Sequence, residues 1–466
     1  MVMLGTEGRM LSRKRDSRPI ACVLLIAVGL VYLPAVGHGF VKDDFGWISR
    51  SRISSLSDLV SVMDSAPSGF FRPIISLSFA GNRWLCGLAP SCYGLTNVAL
   101  AIGCAGAIFL LGRALLLPDG AAILASALWI FNWHGVNMAV LWISGRTALI
   151  VVLFAALAAC AFVKQRVWSA VLLTLAAMLS KEEAVLLPLI LITWCVAERS
   201  TQGPLLLSRL FQFAIGSVAA EALYFVLRAH SGAFTPTTAP QFYQLSFTAS
   251  RLASNVPAYL DRSATFSAFV TLVWLAICQP HKTALRPSSW SVIRFGVLWW
   301  CGTLAVTVFL PVRSSLYACL PSVGIALSAA AVVSGTWPSI SRHRQRRAIA
   351  AGLVLPFLLW PVYYTRNLPS VREAELSTQT INALDRIAVE RGGGTVVLLR
   401  DDRSHKPSLD NSFGTLFQEA ADLMVTPHVR VWIDPPPIDA ALAGLIQPSH
   451  VDLELMLREG ALMRVP

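Results

Sequence analysis

The sequence predicts an all-α polytopic membrane protein, with about eleven transmembrane helices across residues 1–365 and a small α/β domain across residues 366–466. Three observations lead there. Of 466 residues, 55% are hydrophobic and only 14% are charged, whereas soluble domains carry about a quarter charged residues. Apolar stretches recur from Ile20 to Tyr363, and basic residues collect in alternate loops between them, as the positive-inside rule requires. Beyond Thr365 the apolar runs give way to strand and helix patterns. The net charge of +12 therefore speaks for cytoplasmic loops and anionic membrane lipids as partners, and no nucleic acid is expected.

The first apolar run, Ile20 to Pro34, follows Arg9, Arg13, Lys14, Arg15 and Arg18. With so many spans after it, it reads as an uncleaved first helix with a cytoplasmic N-terminus, not as a signal peptide. Further apolar segments lie near Leu95 to Leu117, Ala121 to Val140, Thr147 to Val163, Trp168 to Leu179, Ala184 to Ala197, Leu210 to Leu227, Ala264 to Cys278, Phe295 to Leu310, Leu316 to Val333 and Ile349 to Tyr363. Several fall short of the ~20 residues of a straight crossing. Alternation from a cytoplasmic start puts four basic groups inside: Lys164 with Arg166, Arg199 with Arg209, Lys282 with Arg286 and Arg294, and Arg342, Arg344, Arg346 and Arg347. The odd count leaves the C-terminal tail outside, in what the pattern suggests is a bacterial inner membrane. In that tail Thr395 to Arg400 and Val429 to Asp434 read as buried strands. Phe413, Leu416, Phe417, Ala420 and Leu423 between them fall at helical spacing, with Asp410 or Asn411 able to cap the start. Pro435, Pro436 and Pro437 mark a rigid bend.

The residues that carry chemistry gather in the outer loops. Asp43 and Asp44 are adjacent in the first, within G-H-G-F-V-K-D-D-F-G-W-I-S. Ile48 to Met63 then reads as an amphipathic helix lying in the interface, with Ile53, Leu56, Leu59, Val60 and Met63 on one face. Cys86 and Cys92 share this outer loop and would form a disulfide in an oxidising compartment, while the other seven of the nine cysteines lie in or beside apolar segments. Arg72 sits in F-F-R-P, His134 in W-I-F-N-W-H, Arg146 at the end of W-I-S-G-R, Lys181, Glu182 and Glu183 in the short turn L-S-K-E-E, and Arg313 four residues before Tyr317. Each charge would cost roughly 2.5–3.5 kcal/mol at a bilayer centre, so an interface or an aqueous cleft is expected around them. A carboxylate pair facing cations from four loops is the polarity needed to deprotonate a hydroxyl while a phosphate leaves.

Read in order, an aspartate pair in the first outer loop, F-R-P, W-I-S-G-R, L-S-K-E, and an arginine followed by L-Y-A-C-L-P-S-V-G resemble the multispanning glycosyltransferases of the GT-C fold. The likeness is greatest to the transmembrane O-mannosyltransferases that carry tetratricopeptide repeats, and to their bacterial relatives, and runs from about Gly37 to Gly324. The resemblance implies transfer of a sugar, such as mannose, from a polyprenyl- or dolichyl-phosphate carrier to an acceptor hydroxyl on the outer face, with inversion. It makes Asp43 the expected base, with Asp44 orienting it or touching a divalent metal ion, although adjacent loop residues can exchange roles. It assigns Arg72, Arg146, Lys181, Glu182 and Arg313 to the carrier phosphate or to ordering the site, with Tyr317 and His134 beside them. The chain departs from the family in two ways. His134 is followed by Gly135, with no proline and no acidic residue shortly after, and the repeat array is missing. The acceptor, whether protein, glycan or lipid, is therefore left open. A transporter or flippase of lipid-linked sugars is the alternative; it would favour internal repeats and charges near the midplane, neither of which the sequence carries.

Overall fold

The computed structural model describes residues 18–64, 66, 69–198, 204–279, 285, 287–401, 406–436, 450–458 and 461–464. Arg9, Arg13, Lys14, Arg15, Arg199, Lys282, Arg286 and Pro437, used above for topology and for the tail, lie outside the described residues.

The chain is chiefly helical. In order come α1 (Arg18–Tyr32), α2 (Asp43–Arg50), α3 (Leu56–Asp64), α4 (Pro73–Cys86), α5 (Pro90–Ala114), α6 (Asp119–Ile130), α7 (Gly135–Leu141), α8 (Arg146–Val163), α9 (Val167–Met178), α10 (Leu187–Ala197), α11 (Pro204–His230), α12 (Ala249–Cys278), α13 (Pro287–Leu304), α14 (Pro321–Thr336) and α15 (Arg342–Arg391). Prolines open α4, α5, α10 and α14, where the missing N–H has no helical partner to lose.

Each apolar segment read from the sequence overlaps one of these helices or, for Ala121 to Val140, both α6 and α7, but their lengths do not establish eleven crossings. Among the described residues six helices are long and apolar enough to cross a membrane, or up to seven if the bent pair α6 and α7 is one broken span. That pair bends by 68° at Phe131 to His134, where the Asn132 side chain accepts the His134 N–H at 2.9 Å and donates to the Arg262 carbonyl at 3.1 Å. Stretches such as α9 are apolar but short. The spans differ in burial: 72% of the window around α8 and 78% of that around α14 are enclosed by protein, against 17% for α12 and 13% for α15. Thus α8 and α14 form the centre of the bundle, and α12 and α15 leave most of their flanks uncovered by protein.

The loop after α1 also departs from expectation. Ile48 to Met63 is not one interfacial helix: the chain breaks at Ser51 to Ser55, so α2 turns inward while α3 keeps Leu56 and Val60 exposed, at 76% and 61%. Cys86 and Cys92 are joined as a disulfide.

Helix α15 runs unbroken through position 365, where the domain boundary was expected, and is about 75 Å long at the usual rise. Its far end packs into the C-terminal domain. There β1 (Val396–Arg400), α16 (Leu409–Phe413), α17 (Phe417–Met424), β2 (Arg430–Asp434), β3 (Leu453–Arg458) and β4 (Ala461–Arg464) form a sheet of order β2-β1-β3-β4, parallel except for β4. The expected helix is two, split at Gly414 (φ +54°), and its cap is Ser408, not Asp410 or Asn411. Phe413, Phe417 and Ala420 share one apolar core with Phe40, Phe45, Phe79 and Tyr93 of the membrane part. The C-terminal domain therefore sits directly on the loop that carries Asp43 and Asp44.

Candidate functional site

The first-loop segment is held at three points. His38 Nε2 lies 2.7 Å from the Leu141 carbonyl, Lys42 N–H donates to the Ser412 carbonyl at 2.9 Å, and Phe45 stacks on Phe413 at 5.7 Å. Gly39 presses so closely on α15 that a Cβ there would stand 2.1 Å from Thr378 Oγ1 and 2.9 Å from the Ala374 carbonyl. Lys42 adopts φ +49° just before α2, an uncommon conformation for a side-chain-bearing residue.

Asp43 and Asp44 open α2, where carboxylates complement the helix N-terminus, but their surroundings are opposite. Asp44 is fully enclosed. Its Oδ2 accepts the Val41 N–H at 2.9 Å, and its Oδ1 accepts the Ser144 N–H at 2.8 Å and the Ser144 hydroxyl. Burial pushes its carboxyl up to about 6, against these hydrogen bonds. It is a tie between the first loop and the start of α8. Asp43, one residue earlier, is exposed and yet ringed by protein: burial among surrounding atoms raises its carboxyl above the usual range, with Arg72 and Lys42 pulling it down.

Arg72 precedes α4 and is 8% exposed. Its Nε and Nη2 donate to Glu182 at 3.0 and 2.5 Å, and its guanidinium lies 4.4 Å from the Phe70 ring centroid. Burial alone would raise the Glu182 carboxyl; Arg72 overrides it and holds it down at about 2. At the start of the same short 3-10 turn (Glu182–Leu186), Lys181 just before it and Glu183 within it form a buried ion pair, Nζ to Oε1 at 2.5 Å. Lys181 Nζ also lies 4.8 Å from the Tyr317 ring centroid. The turn is fixed to the F-R-P corner by Ile74 N–H donating to the Leu179 carbonyl at 3.4 Å.

Of the sequence candidates, Asp43, Arg72, Lys181, Glu182 and Tyr317 thus belong to one constellation. Arg146 stands apart and is fully enclosed, donating to Asn82 Oδ1 at 2.5 Å and the Tyr93 carbonyl at 3.2 Å, with the Phe79 ring centroid 4.2 Å away. It orders α4 and α5 around the start of α8. Arg313 is exposed and has no ion pair among the described residues. His134 lies at the junction of α7, α12 and α15, 3.7 Å from Asp261 and 3.3 Å from Arg366. Two contributors escaped the sequence reading. Ser144 stands in the W-I-S-G-R motif, but nothing local announces that its partner is Asp44, 100 residues away. Tyr243, in the connection between α11 and α12, packs edge-on at 5.1 Å against Phe70, beside Arg72. Among the described residues no group of three His, Cys, Asp or Glu side chains gathers around Asp44 or elsewhere.

No protein-family model matches the chain, and no curated protein matches it. Among solved structures the chain is similar to ArnT from Cupriavidus metallidurans, in a structure bound to undecaprenyl phosphate, at 13% identity and a TM-score of 0.46, covering 81% of this chain and 73% of that one. The likeness to tetratricopeptide mannosyltransferases remains one of motifs.

Proposed function

We propose that the protein is a membrane glycosyltransferase that moves a sugar from a polyprenyl- or dolichyl-phosphate carrier to an acceptor hydroxyl on the membrane face bearing the C-terminal domain. The observation that carries the reading is the contrast within the aspartate pair: Asp44 is locked on both oxygens, while Asp43 is exposed, has no hydrogen-bond donor among the described residues and feels the charge of Arg72.

In this reading the acceptor hydroxyl attacks the anomeric carbon as Asp43 takes its proton, and the carrier phosphate leaves from the opposite side, so a single displacement inverts the sugar. A positioned base contributes on the order of 10²–10⁴-fold. Arg72 is clamped to Glu182 through Nε and Nη2, which leaves its Nη1 hydrogens without a protein acceptor among the described residues. A phosphate oxygen is the partner they fit, in a charge-assisted bond. Lys181 and Tyr317 line the same wall. Mannose remains one candidate sugar.

The test is turnover by the purified protein in lipid, offered a panel of polyprenyl-phosphate sugars, with release of the carrier phosphate as readout. Sugar-dependent release with at least one donor is expected; release with none would defeat the reading.

A further inference from the structure

A second polar cluster lies away from Asp43 and Arg72, and an apolar groove leads up to it. The groove runs between α1, α6, α12 and α15, along Leu24, Leu128, Phe266, Val270, Leu355 and Leu359. On α12, Arg262 stands four residues before Phe266 and eight before Val270; on α15, Arg366 stands seven after Leu359 and eleven after Leu355. Both spacings return to one helix face. Each stripe is thus apolar along the groove and ends in an arginine.

At that end the two arginines converge on His134. Arg366 Nη1 lies 3.3 Å from His134 Nδ1 and donates to the Trp133 carbonyl at 3.1 Å, and both arginines act electrostatically on the imidazole. Arg262 Nη1 is buried and has no hydrogen-bond partner among the described residues. Asp261, the carboxylate beside them among the described residues, accepts from the Thr265 hydroxyl at 2.7 Å and lies 3.7 Å from His134, one negative charge against two arginines. The cluster therefore carries a surplus of positive charge and an unsatisfied buried donor, which is costly unless an acceptor arrives. Its level suits a membrane interface: Trp133 packs against Phe266 at 5.1 Å, and exposed Trp360 stacks with exposed Tyr364 at 5.5 Å on α15, the aromatic signature of that depth.

We propose that this groove is a lipid site that takes one anionic lipid, the phosphate held by Arg262, Arg366 and His134 and a hydrocarbon chain lying along Phe266, Val270, Leu355 and Leu359. Among the described residues none of these side chains touches Asp43, Arg72, Lys181 or Tyr317 directly, although the Arg262 guanidinium lies 5.8 Å from the Tyr259 ring, which packs against Tyr317 at 6.4 Å; the proposal holds whether or not the protein transfers sugars. The charge and the apolar length together select the occupant: a neutral lipid leaves the arginines unsatisfied, and a free phosphate leaves the groove unfilled.

The test is binding to the full-length protein in neutral detergent, followed by native mass spectrometry and by thermal melting. Three probes are compared: a long-chain phosphatidate, inorganic phosphate, and the diacylglycerol with the same chains. Saturable binding and a raised melting temperature are expected with phosphatidate alone. Each basic residue near a membrane surface contributes a factor of about five, so Arg262→Gln with Arg366→Gln weakens phosphatidate binding by about 25-fold. Leu359→Trp, which fills the groove, weakens it without touching a charge, and Arg209→Gln leaves it unchanged. Equal binding of inorganic phosphate or of diacylglycerol, or parental binding by the double variant, overturns the proposal. If the double variant fails to melt cooperatively, Leu359→Trp decides, and its full retention of phosphatidate overturns the proposal as well.

Discussion

Asp43 and Asp44 are neighbours whose fates the fold separates. Asp44→Asn must turn an amide N–H₂ toward the Val41 or the Ser144 N–H, because each carboxylate oxygen now accepts from one of them. A buried bond lost this way costs about 1–3 kcal/mol, so a lowered melting temperature is expected, and Ser144→Ala should move in the same direction by less. Asp43 predicts a pH effect. Its folded carboxyl is raised, and a base works only when ionised, so turnover should fall as pH drops through a value above the ordinary aspartate range and level off above it. A pH–rate profile checks the sign; a limb at or below that range contradicts it. The sequence made both aspartates legible as candidates, since adjacent acids in a loop between apolar runs stand out. The residues alone did not separate their roles, which were assigned only through the family resemblance, because the structural distinction depends on Ser144, which only folding brings near.

At the scale of elements, the turn after α9 sets two charge pairs side by side. Lys181 and Glu183 are 2% and 1% exposed, so Lys181→Met strands a buried carboxylate and should cost about 3–5 kcal/mol, whereas the double change Lys181→Met with Glu183→Leu should recover most of the loss. Thermal melting of the three variants decides, and equal melting of the single and double variants contradicts the pairing. The turn itself was readable from L-S-K-E-E, but the partners were not: that Arg72 takes Glu182 while Lys181 takes Glu183 follows from the F-R-P corner docking on Leu179. Helix ends were the least readable feature. An apolar window marks where a helix lies, but α12 and α15 extend well beyond theirs, and the break between α6 and α7 rests on Asn132, an ordinary polar residue in a Trp-rich run.

Across the whole molecule, the membrane bundle and the C-terminal domain meet at the proposed site. The sequence marked β1 and β2 by their apolar runs and missed β3 and β4, and it placed a boundary at residue 365 because the apolar pattern ends there. Helix α15 ignores that boundary, and Phe413 reaches into the core that holds Phe45. Phe413→Ala should therefore cost about 3–5 kcal/mol and lower turnover too, by loosening α2; melting with turnover unchanged would show that the domain does not position the site. The most direct test of the central claim is carrier-phosphate release by Asp43→Asn, in lipid, with whichever polyprenyl-phosphate sugar the parent protein uses. The expected result is a loss of about 10²–10⁴-fold at an unchanged melting temperature. Turnover equal to the parent's would contradict the role given to Asp43.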